Sequence, residues 1–177
     1  MKLRRGAGLL ALVLGGCATS AASGSTAPTA SASNSGGLAD FELADTDGSP
    51  VRLSSFLGKQ VVYVDFWASW CGPCMSELPQ LEALYEKYKD QGFVILGVAM
   101  DDPTTVGSVA PVARKQGLTF PVLLDAQSRA VALYNTNRSA PYGVLIDRKG
   151  HIVEQHAGYT PGDERKLETL VTAALQP

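Results

Sequence analysis

The stretch VDFWASWCGPC, residues 64–74, places two cysteines behind a run of apolar and aromatic side chains. They are Cys71 and Cys74, and the third cysteine of the chain, Cys17, lies far away near the N-terminus. A disulfide-stapled secreted domain would need more cysteines, spread further apart. A bond between Cys71 and Cys74 would close only a very short loop, which adds little stability. The pair is therefore predicted to serve chemistry rather than to hold the fold together.

The apolar pattern around this pair predicts alternating strands and helices. Residues 60–68 form a nearly continuous β-branched and aromatic run, typical of a buried strand. Residues 72–90 follow a helical period, and Pro79 should kink that helix. The other predicted elements are a hairpin in 41–53, strands at 93–100 and 120–124, helices at 104–116 and 127–134, a hairpin of 142–146 with 151–157, and a helix at 161–175. Their order indicates an α/β protein with a mixed sheet.

Charge and length limit the classes of function. The 177 residues are enough for one domain, and the formal net charge is −2. Lys2, Arg4 and Arg5 stand at the N-terminus, and without them 12 basic side chains face 17 acidic ones, a balance near −5. There is no basic run, so a nucleic-acid partner is not expected.

The N-terminal residues 1–16 have the pattern of a signal peptide. Lys2, Arg4 and Arg5 precede an apolar stretch at residues 6–16. Eleven residues are too few for a membrane-spanning helix, which needs about 20. A positive start followed by a short apolar segment is typical of an export signal.

The end of this leader, LGGC at residues 14–17, resembles the lipobox of bacterial lipoproteins. That resemblance implies that Cys17 becomes the N-terminus and carries a lipid that binds the membrane. The alternative is ordinary secretion with cleavage within residues 18–22. Residues 18–37 have no charged and no aromatic side chain, so 17–37 is predicted to be a flexible tether. The globular domain is expected to cover residues 38–177.

Residues 64–74 resemble the active-site segment of thioredoxins. The wider chain is similar to the extracytoplasmic TlpA/ResA-like branch of that superfamily, through FEL…DG…VRLSSFLGK, GVAMDD, FPVLLD and PYGVLIDRKG. The resemblance covers residues 38–177. It implies a thioredoxin-like fold: a mixed central sheet flanked by helices, with an N-terminal hairpin and a central βα-type insert.

The two cysteines have distinct predicted roles. A helix N-terminus favours a thiolate, the species that attacks a disulfide, so Cys71 is the expected nucleophile. Gly72 and Pro73 suit the first helical turn, because proline has no N–H to leave unpaired there. Cys74, one turn further, is the expected resolving thiol. The working group is then the Cys71–Cys74 disulfide, with no cofactor.

A zinc site is the structural alternative for a C-x-x-C pair. Zinc needs about four ligands, and no second cysteine pair is present. His151 and His156 lie in a predicted strand at a spacing of five and should face opposite sides. We expect no metal, and we assign these histidines no role.

An acidic residue, Asp65, interrupts the buried apolar run at 60–68. In thioredoxins the matching aspartate lies behind the second cysteine and helps it to lose its proton, whereas many TlpA/ResA-like proteins have asparagine there. We expect Asp65 to be a buried general base with a raised pKa. The alternative is an outward-facing strand residue. Glu77, on the following helix, is left without a role.

Three more residues complete the predicted site. Ala140-Pro141 resembles the cis-proline loop of the superfamily, which lies against the C-x-x-C motif and pairs with client backbone. Trp67 and Trp70 are expected to pack around the cysteines. Trp70 would offer clients a flat apolar surface, while Trp67 fits a core position equally well.

The leading interpretation is an extracytoplasmic, membrane-tethered thiol–disulfide oxidoreductase. Gly72-Pro73 resembles the reducing type, so the protein should reduce the disulfides of client proteins, with apocytochrome c as one candidate. The resemblance implies a membrane thiol carrier as electron donor, and we expect a monomer. One alternative is a peroxiredoxin-like thiol peroxidase, although Ala68 stands where such enzymes have threonine. Another is a redox-inert binding module, against which the intact cysteine pair argues.

Overall fold

The computed structural model describes residues 37–176, which form one seven-stranded sheet with helices on both faces. The strand order is β2-β1-β5-β4-β3-β6-β7. The strands are β1 (Glu42–Asp45), β2 (Pro50–Arg52), β3 (Val61–Trp67), β4 (Phe93–Ala99), β5 (Val122–Leu124), β6 (Tyr142–Ile146) and β7 (Ile152–Ala157). The helices are α1 (Gly72–Tyr88), α2 (Val109–Gln116), α3 (Arg129–Tyr134) and α4 (Asp163–Leu175).

The sheet is mixed, as the sequence predicts. β3 pairs in parallel with β4 and antiparallel with β6, and β4 pairs in parallel with β5. Both β3 and β4 are buried along their whole length, which explains their continuous apolar runs. β1 and β2 form the predicted N-terminal hairpin. These pairings confirm the thioredoxin-like α/β fold.

Side-chain alternation along β3 divides the core into two halves. Val61, Tyr63 and Trp67 join the half formed with α1, α2 and α4, which also contains both cysteines. The even-numbered residues of β3 pack on the opposite face with α3. Because successive side chains of a strand point to opposite faces, Asp65 lies on the cysteine side of the sheet.

Two of the predicted helices contain a proline, and only one of them differs clearly from its predicted bounds. The predicted helix at 104–116 begins only at Val109, so that Pro111 falls in its first turn, and residues 106–108 form a 3₁₀ turn. α1 continues through Pro79. Proline cannot donate to the carbonyl of Met75 four residues earlier, and the Gln116 side chain of α2 donates to that oxygen at 3.5 Å.

The described part of the chain begins at residue 37. The predicted signal peptide, Cys17 and nearly all of the predicted tether lie outside it. Within residues 37–176, no helix is long and apolar enough to span a membrane.

Candidate active site

The centre of the site is a disulfide between Cys71 and Cys74, with an S–S distance of 2.02 Å. Cys71 is the N-cap of α1, and its Sγ accepts a hydrogen bond from the Cys74 backbone N–H at 3.2 Å. This places one sulfur at the positive end of a helix of 17 residues. Cys71 is 5% exposed and Cys74 is completely buried. An incoming sulfur therefore reaches Cys71 and not Cys74.

The surface around Cys71 is formed by the residues that flank it. Trp70 is 64% exposed, and Gly72 and Pro73 are also exposed. The loop that carries Trp70 is fixed by buried Asp101, which accepts hydrogen bonds from the backbone N–H and the hydroxyl of Ser69, at 2.9 and 2.5 Å. A flat apolar side chain thus stands beside the reactive sulfur on an anchored loop.

A second loop reaches the same cluster. The Ala140-Pro141 bond is cis, the conformation that the sequence predicts, and Ala140 packs against the core half that contains both cysteines. Buried Asn135 holds the residue that precedes this loop, Ser139, by hydrogen bonds to both of its backbone groups. Its amide donates to the Ser139 carbonyl at 2.7 Å, and its Oδ1 accepts from the Ser139 N–H at 3.0 Å.

Trp67 is a core residue rather than a part of the exposed surface. It has no exposed area, and it packs in the same apolar cluster as the two cysteines. Trp67, Cys71 and Cys74 thus lie in one cluster, and Ala140 packs against it. Of the predicted site residues, Cys17 lies outside the described residues.

Asp65 is buried in the middle of the sheet, with 1% of its surface exposed. On β3 it sits between Tyr63 and Trp67, and its neighbours on β4 and β6 are Gly97 and Gly143. Neither carboxylate oxygen has a hydrogen-bond partner within residues 37–176. Burial raises the pKa of Asp65 to about 7, because a carboxylate away from water is costly.

Glu77 is the residue that sequence reasoning missed. It lies on α1 three residues after Cys74, on the same side of the helix, and is only 6% exposed. Burial, and then the nearby charges of Asp65 and Asp163, raise the pKa of Glu77 to about 9. The sequence did hold the signal, since Glu77 lies four residues before Leu81 of the apolar stripe.

The charge on Asp65 contributes to the raised pKa of Glu77, so the protonation of the two carboxyls is linked. Two like charges in a buried space oppose each other, so the pair gives up its protons in two separate steps. Near neutral pH it holds at least one proton and can accept another once it has lost one. Such a pair suits the uptake of a proton from a neighbouring thiol. No group of three or more metal-binding side chains occurs in the described region.

Comparisons with known proteins agree with this geometry. The family model for Redoxin matches residues 22–171. The thiol-disulfide oxidoreductase ResA of Geobacillus kaustophilus is 39% identical over 154 residues, which cover 86% of this chain and 80% of that protein.

Solved structures give the same picture. A Chlorobium tepidum protein assigned as the thiol:disulfide interchange protein DsbE superposes with a TM-score of 0.71 at 38% identity, over 78% of this chain and 94% of that one. A Bacteroides thetaiotaomicron protein assigned as a protein disulfide isomerase gives 0.71 at 35% identity, over 79% and 88%.

Proposed function

This chain belongs to the redoxin family and is a ResA-like thiol–disulfide oxidoreductase, and we propose that it works as a membrane-tethered reductant of protein disulfides outside the cytoplasm. The observation that carries the chemistry is the C-x-x-C disulfide with a slightly exposed Cys71 and a fully buried Cys74. The peroxidase alternative is not favoured, because the similar proteins carry oxidoreductase names and this chain forms a cysteine pair.

The reaction begins with the reduced protein. The Cys71 thiolate, favoured by the α1 N-terminus, attacks a client disulfide. A bond forms between Cys71 and one client sulfur, and the other client sulfur leaves as a thiolate. Cys74 then loses its proton and attacks Cys71, which forms the Cys71–Cys74 bond and releases the second client sulfur with its electron pair. Two electrons have passed to the client.

Asp65 and Glu77 have a proposed part in the second half of this cycle. Cys74 is buried, so bulk water cannot take its proton directly. Glu77 lies one helical turn from Cys74, and Asp65 is on the strand face that α1 covers. A carboxylate of this pair is the available base for the Cys74 thiol. Trp70 and the Ala140-Pro141 loop would bind the client beside Cys71.

The direction of electron flow is proposed from Gly72-Pro73, which resembles the reducing type. A reductant in an oxidising compartment needs a supply of electrons, for which a membrane thiol carrier is the proposed donor. The clients would be oxidised proteins, with apocytochrome c as one candidate. The leader and Cys17 support the proposed location on the outer side of a membrane, reached by a lipid anchor.

Two experiments test this proposal. A glutathione titration should give a reduction potential nearer to that of thioredoxin, about −270 mV, than to that of the oxidant DsbA, about −120 mV. A value near the second would make the protein an oxidant. In cells, Cys74→Ser should accumulate mixed disulfides with clients, and Cys71→Ser should not. Equal trapping by both variants would contradict the assigned order of attack.

A further inference from the structure

A narrow cavity lies between the sheet and helices α1 and α4, and Glu77 forms part of its wall. Its volume is about 30 Å³. A buried water needs about 10–15 Å³, so the cavity has room for about two. Leu81, Leu167 and Leu170 form its apolar wall. The titratable side chains that line it are Tyr63 from β3, Glu77 from α1, Glu154 and His156 from β7, Tyr159 from the following loop, and Asp163, Glu164 and Lys166 from α4.

Most of the charged groups around this cavity are already engaged with each other. Lys166 bonds Glu154 at 2.5 Å, and the Tyr159 hydroxyl donates to Glu164 at 3.0 Å. Among the cavity walls in the described region, two buried atoms have no hydrogen-bond partner, namely Glu77 Oε2 and His156 Nε2. Buried polar atoms are normally paired, so these two call for water or for a function.

His156 lies at the boundary between this cavity and solvent. Its Nε2 has no exposed surface, whereas the side chain as a whole is 39% exposed. The same atom lies 3.3 Å from Asp163 Oδ2, in a geometry that makes no hydrogen bond. Histidine is the side chain that most readily takes up and releases a proton near neutral pH.

The approach of Tyr63 to this space depends on Gly143. A Cβ atom at Gly143 would lie 1.8 Å from the Tyr63 hydroxyl, so only glycine lets the ring cross β6 at this point. Burial, and then the charges of Asp65 and Glu77, raise the pKa of Tyr63 well above its usual range. Its hydroxyl therefore stays protonated. Because a hydroxyl both donates and accepts hydrogen bonds, it can relay a proton by accepting one and donating its own.

We propose that His156 is the solvent-side end of a proton path that carries the Cys74 proton from the Asp65–Glu77 pair, through this cavity, to bulk water. The inference rests on the proposed role of that pair as the acceptor of the Cys74 proton. In each turnover the proton leaves the Cys74 sulfur for a carboxylate, crosses the cavity by water, and leaves from the His156 imidazole. The acid pair is then ready for the next cycle, and the electrons follow the sulfur exchange already described.

The test follows the mixed disulfide that reduced protein forms with oxidised glutathione, using rapid acid quench and mass analysis at pH 7. His156→Ala should slow its decay by about tenfold, less than the 10²–10⁴-fold expected for loss of a complete acid–base group, because the cavity keeps room for water that can carry the proton. Added imidazole should restore the rate in proportion to its concentration. The reduction potential should stay unchanged, because a path alters the rate of proton transfer and not its end states.

His151→Ala is the matched control. His151 is an exposed histidine of the same hairpin that contacts Asp147 and does not line the cavity, and its loss should leave the decay unchanged. His156→Gln, which keeps the side-chain volume, should be as slow as His156→Ala, so a folding defect in the alanine variant does not decide the result.

Two results would overturn the inference: an unchanged decay in both His156 variants, or a slow decay that imidazole does not reverse. The same assay on Asp65→Asn separates this inference from the proposed function. If Asp65→Asn is slow and the His156 variants are normal, only the proton path fails. If none of these variants is slow, the proposed role of the acid pair fails as well.

Discussion

Asp65 and Glu77 are buried carboxyls on facing elements, β3 and α1, and the charge on Asp65 raises the pKa of Glu77. A lone buried carboxylate is unfavourable, and a second negative charge nearby makes it more so. Neither Asp65 oxygen nor Glu77 Oε2 has a partner within residues 37–176. We therefore expect this arrangement to lower stability at neutral pH.

Stability should fall as pH rises, because of this pair. In the unfolded chain the pKa is about 3.9 for Asp and 4.3 for Glu. Both values are higher in the folded protein. Between about pH 4 and pH 9 the folded state thus binds more protons, and the free energy of unfolding decreases with pH. Asp65→Asn should be more stable than the wild type by at least about 2 kcal/mol at pH 8.

Urea denaturation at pH 4, 6 and 8 checks this prediction. The gain in Asp65→Asn should shrink towards pH 4, where the wild-type carboxyl is protonated in the folded protein and about half protonated in the unfolded chain. Asp47→Asn removes an exposed carboxyl of the first hairpin turn and serves as the control. A gain that is the same at all three pH values would argue against a buried titrating acid.

The same substitution should slow the resolving step. Asp65→Asn keeps the shape of the side chain but removes a base, so decay of the mixed disulfide should be slower at pH 7. The rate should recover as the pH approaches the pKa of an ordinary cysteine thiol, about 8.5. Rapid quench across pH 6–9 measures the profile. The double variant with Glu77→Gln should be little slower than the slower single variant, since the protonation of the two carboxyls is linked. A profile like that of the wild type would leave Asp65 without a part in resolution.

Asn135 should matter for client binding through the loop that it fixes. Asn135→Ala leaves both backbone groups of Ser139 without their partners, which should cost about 1–3 kcal/mol of stability. KM for a protein disulfide should rise more than kcat falls. Thermal unfolding and steady-state kinetics check both effects. Asn137→Ala, an exposed residue of the same turn, should change neither.

Trp70 should bind clients without stabilising the domain. Because 64% of its surface is exposed, Trp70→Ala should change the free energy of unfolding by less than about 0.5 kcal/mol. KM for a protein disulfide should rise, while the reaction with oxidised glutathione, which is small, should be little affected. Leu133→Ala, an exposed apolar residue of α3, is the control. Equal losses with both substrates would point to the cysteines rather than to the binding surface.

Cys17 is predicted to hold the protein at the membrane. Cys17→Ser should abolish incorporation of labelled palmitate and release the protein into the soluble fraction, because residues 18–37 are too polar to bind a bilayer. Fractionation of cells that express both forms tests this. An unmutated protein without label would refute the lipid anchor.

The fold could be predicted from the sequence where pattern and chemistry agreed. The apolar runs of β3 and β4 and the C-x-x-C motif at the start of α1 were enough for the sheet and the cysteines. α2 begins five residues later than predicted, since the start of that helix depends on where Pro111 can be accommodated. Its apolar pattern alone does not reveal this.

The site was less predictable where it depended on packing between distant elements. Glu77 shares the buried side of α1, but an acidic residue on a helix is usually solvent-exposed, and only the nearby β3 reveals its burial. The alternation along β7 predicts that His156 faces the protein. It does not predict the cavity that its buried nitrogen lines, because α4 forms part of that cavity. Such relations arise between segments and are not encoded in the spacing of either one.

The two tryptophans of the chain differ completely in their surroundings, although they are three residues apart. Trp67 has no exposed surface, and Trp70 is largely in water beside the disulfide. A soluble collisional quencher such as iodide should therefore quench the fluorescence of Trp70 and leave that of Trp67 unchanged. The protein thus contains its own pair of optical reporters, one for contact with a client and one for the integrity of the core.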